Sequence, residues 1–164
     1  MTGAFDPAAI VETLDRHGVR YVLIGGVAAR LHGSPILTED VDVTPERSVE
    51  NLGRLAAALA ELDARLAAPG APEGLAVPLD ADTFSSPVMS FVTTAGVVDV
   101  VLDAVGVGGH ARLDREAVSY EVRGVRVRVA SLDDVIRSKR AAARPKDRAH
   151  LETLEVLRAE LGDD

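Results

Sequence analysis

The sequence predicts an α/β (α+β) fold: one mixed β-sheet flanked by helices, closed by helices at the C-terminal end. Three observations carry that reading. Short apolar runs alternate with helical periodicity from Pro7 to Leu66. Two pairs of strand-like runs between Val88 and Val129, the second pair alternating, read as hairpins. Everything from Leu132 onward has a helical pattern with no strand signal. The expected order is α-β-α-β-α-β-β-β-β-α-α. At 164 residues the chain is expected to form one domain, with a core over about 6–130 and a helical part over about 131–161.

The elements follow from local chemistry. Asp6 caps a first helix, Pro7 suits its opening turn and Gly18 follows its end. Tyr21-Val22-Leu23-Ile24 is a buried strand that ends in Gly25-Gly26. A short helix over Val27 to Leu31 closes near Gly33, and Ser34-Pro35 breaks the chain. Val41-Asp42-Val43 is a strand with Asp40 at its start. Leucines at 52, 55, 59, 62 and 66 predict an amphipathic helix from Ser48 to about Leu66. The Pro- and Gly-rich stretch from Ala67 to Pro78 reads as a loop, either a plain linker or a substrate-facing lid. Strands over Val88–Thr94 and Val97–Leu102 turn at Ala95-Gly96, and a second hairpin turns at Arg123-Gly124. Ser131 starts a helix to about Ala143, and another runs from about Pro145 to Leu161.

Composition excludes several functions. There is no cysteine, so disulfide scaffolds, thiol nucleophiles and cysteine-ligated zinc are out. Aromatic residues are 3% and tryptophan is absent, which leaves little for base stacking. Lys plus Arg is 18 against 26 Asp plus Glu, a formal charge of −8 that opposes nonspecific binding of nucleic acid over the whole surface. No run approaches the roughly 20 apolar residues of a membrane span. The opening residues Met1 to Asp6 lack the pattern of a secretory leader, so a cytoplasmic protein is expected. The histidines, His17, His32, His110 and His150, have no metal-ligand spacing, and His32 is expected to pack at a helix end.

The carboxylates are more informative. Asp40 and Asp42, two apart on a strand, share one face, while Val41 and Val43 point to the other. Asp99 interrupts the apolar run Val97-Val98-Asp99-Val100-Val101, where a lone carboxylate is costly without a partner. Bringing that strand beside the Asp40/Asp42 strand makes a three-carboxylate site. Such a site suits hard divalent ions, including two magnesium ions about 3.5–4 Å apart. Asp103 competes with Asp99 but sits at a strand end, and Glu39 is expected to point away. Gly25-Gly26, between strand and helix, offers backbone N–H groups to a phosphate or simply makes a tight turn. It is neither a Walker motif nor a dinucleotide fingerprint.

Together these segments resemble the nucleotidyltransferase superfamily of the DNA polymerase β type. The residues that carry the resemblance are Gly25-Gly26-Val27-Ala28-Ala29-Arg30-Leu31-His32-Gly33, Thr38-Glu39-Asp40-Val41-Asp42-Val43, and Asp99 on a later strand. Ser138-Lys139-Arg140 through Arg144-Pro145-Lys146-Asp147 resembles the family's late helix and turn. The matches span about residues 19–43, 97–103 and 132–154, and are most similar to small bacterial AbiEii-like proteins, which include toxin–antitoxin components. The chain departs from the pattern at Ile36, where related sequences often carry an arginine, and at His150, where an aspartate is frequent.

The resemblance implies a magnesium-dependent nucleotidyltransferase, with manganese as a substitute ion and a nucleoside triphosphate such as ATP as donor. Asp40, Asp42 and Asp99 are the implied metal ligands, with Asp99 also a general base. Gly25 and Gly26 are the implied phosphate-binding turn, and Lys139, Arg144 and Lys146 the implied countercharge, in a positive cluster that also holds Arg137 and Arg140. The acceptor is open between RNA, a protein side chain and a small molecule. An antitoxin or other protein partner and a homodimer are the expected assemblies. The alternatives are a degenerate nucleotide-binding module, motivated by Ile36 and His150, and an interaction subunit acting by contact alone.

Overall fold

The computed structural model describes residues 4–162. Residues 1–3, the start of the segment read above as lacking a leader, lie outside them. Helix α1 (Pro7–Arg16) begins where Asp6 accepts a hydrogen bond from the Ala9 N–H, and it buries Ile10, Val11 and Leu14. Strand β1 (Tyr21–Ile24) runs straight into α2 (Gly25–Leu31), which starts two residues earlier than the sequence predicts. Then come β2 (Asp40–Pro45) and α3 (Val49–Glu61), the latter capped by Ser48, which accepts from the Asn51 N–H. The rest is β3 (Arg65–Ala68), β4 (Ala71–Leu75), β5 (Val88–Thr93), β6 (Gly96–Val101), α4 (His110–Glu116), β7 (Val118–Val122), β8 (Val125–Val129), α5 (Leu132–Ala142) and α6 (Pro145–Gly162). Among the described residues no helix is long and apolar enough to cross a membrane.

Two expectations need correction. The leucine period carries the third helix to about Leu66, but α3 stops at Glu61, and Asp63 turns left-handed at φ 51°. Leu66 is then free to pair with Phe91 in the sheet, so the leucine spacing continues across a helix end. The segment over 67–78 is not a loop for most of its length. Pro69-Gly70 joins β3 to β4 in a hairpin, with Gly70 at the positive φ that the third position of a Pro-Gly turn requires. That hairpin sits at the sheet edge and contributes nothing to the cleft described below, which removes the lid reading. Helix α4 has no counterpart in the sequence reading.

The eight strands form one sheet in the order β4-β3-β5-β6-β2-β1-β8-β7. Strand β2 lies antiparallel to β1 and parallel to β6; β1 is parallel to β8. The mixed sheet expected from the sequence is therefore present. Val22, Leu23, Val41, Val43, Val98 and Val129 are fully buried. Helices α1 and α3 contact each other and β2, while α2 packs on α5 and α5 on α6. His32 ties α2 to the far strands. Its Nε2–H donates to the Ala130 carbonyl at 2.7 Å, and its Nδ1 accepts from the Tyr120 hydroxyl at 2.9 Å. This is the helix-end packing role expected of it.

Leu59 is fully buried on the inner face of α3. Leu59→Ala is expected to lower unfolding stability by about 2–5 kcal/mol, measured by urea denaturation. A cost below about 1 kcal/mol would show that α3 does not close the core.

Candidate active site

The register of β2 and β6 builds the site. Parallel pairing sets Asp42 directly opposite Asp99 and Asp40 opposite Val97. Side chains alternate along each strand, so Asp40, Asp42 and Asp99 emerge on one face. One carboxylate oxygen from each lies within 4.8 Å of the others, and all three residues are half-buried. Asp103 and Glu39 are both exposed and line the cleft, and neither belongs to the triad.

The neighbouring elements leave room for these carboxylates. Gly25 follows Ile24, which pairs with Asp42 across β1 and β2. A Cβ at Gly25 would sit 1.9 Å from Asp42 Oδ2, and its φ of +71° also favours glycine. A Cβ at Gly26 would meet the Thr38 side chain at 2.7 Å. The Gly-Gly pair is therefore required by close approach, whatever its backbone N–H groups also bind. Thr38 Oγ1 in turn donates to Asp40 Oδ1 at 2.9 Å and orients it. Sequence reasoning assigned Thr38 no role, although it stands two residues before Asp40.

Electrostatics make this an unsatisfied site. Burial pushes the Asp42 carboxyl up to about 8; repulsion from Asp40, proton sharing with Asp99 and the Asp99 charge add to the rise, and Lys139 opposes it. Asp99 is raised as well, first by burial, with the Ser90 hydroxyl working the other way. Asp99 Oδ1 is buried and has no hydrogen-bond partner among the described residues. Three converging oxygen ligands, mutual repulsion and an orphaned acceptor fit a hard divalent cation.

The triad lies in a cleft of about 1000 Å³, large enough for a nucleotide. Gly25, Gly26, Lys139, Arg144, Lys146 and His150 line it, as does Ile36. The structure thus brings together every residue that the sequence singles out for chemistry. It splits the wider positive cluster. Arg137 turns to Asp134 at 2.6 Å and Arg140 to Glu155, and neither reaches the cleft.

What holds the cleft cations is Asp147, fully buried at the start of α6. It accepts from the Arg144 backbone N–H at 3.1 Å and from Arg144 Nε at 2.9 Å, with Lys139 Nζ at 3.8 Å. Burial acts to raise its pKa, but the Arg144 hydrogen bonds and the charges of Arg144 and Lys139 outweigh that and hold it low. Lys139, itself only 13% exposed, is lowered by burial while Asp147 and Asp42 favour its charged form. Asp147 is a positioning residue that the sequence reading quoted without assigning a role. Its signal was an aspartate one residue after Lys146 and three after Arg144.

No protein-family model and no curated protein matches the chain. Solved structures do. The lincosamide antibiotic adenylyltransferase LnuA, with lincomycin bound, is 12% identical; the match covers 95% of this chain and 99% of that one with a TM-score of 0.62. ANT(2'')-Ia in complex with adenylyl-2''-tobramycin is 18% identical, covers 94% and 87% of the two chains, and has a TM-score of 0.59. The solution structure of the antibiotic-resistance factor ANT(2'')-Ia gives 17%, 94%, 88% and 0.54 in the same terms. At these identities the likeness is one of fold: the chain has the nucleotidyltransferase fold that its motifs resemble.

A stability prediction follows from the triad. Asp42 is raised on folding from 3.8 to about 8. The folded protein therefore keeps a proton that the unfolded chain loses. This stabilisation is full below the unfolded value and is lost as pH rises through the folded one. Metal-free protein is expected to melt lower at pH 8.5 than at pH 5, and Asp42→Asn to flatten that slope. Thermal unfolding in chelator at both values checks this; a wild-type slope unchanged in Asp42→Asn would contradict it.

Proposed function

We propose that this chain is a metal-dependent nucleotidyltransferase that moves a nucleoside monophosphate from a nucleoside triphosphate to an acceptor hydroxyl. The observation that carries the reading is the Asp42–Asp99 register pair with Asp40 beside it, opening on a cleft whose other wall is basic. The sequence motifs and the fold of the adenylyltransferase neighbours support it. Those neighbours also favour ATP as donor.

Asp40 and Asp42 would hold one ion, and Asp42 with Asp99 a second. Magnesium or manganese, bound there, supplies Lewis-acid charge and lowers the pKa of the attacking hydroxyl. The protein's own groups do the rest. Gly25 and Gly26 present backbone N–H groups to phosphate oxygens. The acceptor oxygen attacks the α-phosphorus in line; the bond to the bridging oxygen breaks and pyrophosphate leaves. Asp99, with its unpartnered Oδ1, takes the hydroxyl proton. Lys139, Arg144 and Lys146 neutralise the leaving pyrophosphate.

Ile36 and His150 both face the cleft where related sequences often carry an arginine and an aspartate. They favour a second reading, a nucleotide-binding module without turnover. The test is pyrophosphate release from each of the four triphosphates with magnesium, using a pool of small hydroxyl compounds, RNA and protein as acceptors. Wild type is expected to turn over. Asp40→Ala and Asp42→Ala are expected to lose on the order of 100-fold or more, the scale of one preorganised electrostatic group. Both variants should still unfold cooperatively. Full activity in either variant would end the assignment. Metal-dependent nucleotide binding with no product from any pool would leave the binding module.

A further inference from the structure

The strand register continues the triad's face beyond the carboxylates. On β6, Val97, Asp99 and Val101 share it; on β5, Val88 lies opposite Val101 and Ser90 opposite Asp99. Val88 and Val101 therefore form an apolar step two residues past Asp99, on the side of β6 away from β2. The chain then leaves the sheet as Asp103-Ala104-Val105, still lining the cleft. Val88 is 52% exposed and Val105 60%, although each has a core sheet or helix beside it. A Cβ at Gly106 would meet Ala141 at 2.5 Å, so the segment that carries Val105 packs against α5 and is held in place.

The charges divide along the same line. The basic residues near the triad, Lys139, Arg144 and Lys146, come from the end of α5 and the turn into α6. The wall built by β5, β6 and the segment to Val105 contributes no basic residue; apart from Asp99 its one charge is Asp103, which has no ion pair among the described residues. An in-line displacement sends the leaving group and the incoming nucleophile to opposite sides of the phosphorus. If pyrophosphate leaves toward the α5–α6 cations, the acceptor comes in over β5 and β6.

We infer that the acceptor is a small hydroxyl-bearing molecule with an apolar face and at most one cationic amine, seated on Val88, Val101 and Val105 with Asp103 as the countercharge. This rests on the nucleotidyltransferase reading and names its substrate class. RNA would bring a phosphate beside every sugar, and this wall offers those phosphates a carboxylate instead of Lys or Arg. A polyamine would need more than one carboxylate on this wall, which carries only Asp103 beside Asp99. A valine floor exposed to water gains from covering apolar surface, and extended polar ligands forgo that gain. The transfer joins the acceptor oxygen to the α-phosphorus, breaks the bond from that phosphorus to the bridging oxygen, and passes the hydroxyl proton to Asp99.

The experiment follows α-phosphate-labelled ATP with magnesium and the whole protein. Its acceptors are total tRNA, unfolded protein, and a library of hydroxylated natural products graded by amine count and by octanol partition. Label is expected in acid-soluble products retained on a reversed-phase column, from members with zero or one amine. Val88→Asp and Val105→Asp, both at exposed positions, are expected to raise the KM for such an acceptor at least 10-fold. Their kcat at saturation and their calorimetric affinity for magnesium-ATP should be unchanged. Label in RNA, in protein or only in polyamines overturns the inference while leaving nucleotidyl transfer intact. So does loss of ATP affinity in either variant, because this wall would then hold the nucleotide. Failure of wild type to bind ATP at all defeats the underlying reading instead, and with it this one.

Discussion

Two carboxylates set face to face across a parallel strand pair are the constraint on which this structure turns. Asp42 and Asp99 are in register, and Asp40 is one pleat away. Like charges in a half-buried setting repel and lose hydration, so the arrangement costs stability while nothing positive lies between them. A sequence selected for stability alone would place a valine at each position, as its neighbours on both strands do. The fold tolerates the carboxylates because other parts make room. Gly25 has no Cβ to strike Asp42, Thr38 anchors Asp40, and Val41, Val43, Val98 and Val100 bury the opposite face of the same strands.

The basic side of the cleft shows the complementary solution. Lys139 would be costly to hold in a half-buried position alone, and Arg144 on a chain turn would wander. Asp147 fixes both, because a buried carboxylate needs partners as much as they do. The α5–α6 turn is thus organised by one acidic residue, and Ala143 takes the left-handed conformation that ends α5 just before it. Asp134 repeats the device farther off. It is buried between Arg112 and Arg137 and ties α4 to α5. That pairing also withdraws Arg137 from the cleft.

Much of this was legible in the sequence, for identifiable reasons. Apolar runs marked the strands of the first hairpin and period-two alternation those of the second, and the Asp-x-Asp spacing alone placed two carboxylates on one face. Asp99 stood out because it is polar inside an apolar run. What stayed hidden depends on long-range geometry. Leucine spacing does not reveal that Asp63 ends α3, because Leu66 remains apolar in a strand as it would in a helix. Pro69-Gly70 marks a turn, but whether strands flank it depends on β5 being there to pair with. Gly25-Gly26 looked like a phosphate turn, and only the approach of Asp42 and Thr38 shows why side chains are barred there. The local pattern locates the site; the sheet order that joins β2 to β6 decides its geometry.

The most direct measurement is a calorimetric titration of manganese into wild type and Asp42→Asn, with and without a nonhydrolysable triphosphate. The triad account predicts that wild type binds the ion, more tightly with nucleotide present, and that Asp42→Asn loses this binding while remaining folded. Equal manganese binding by both proteins would contradict it, because the ion would then be held by something other than the register pair.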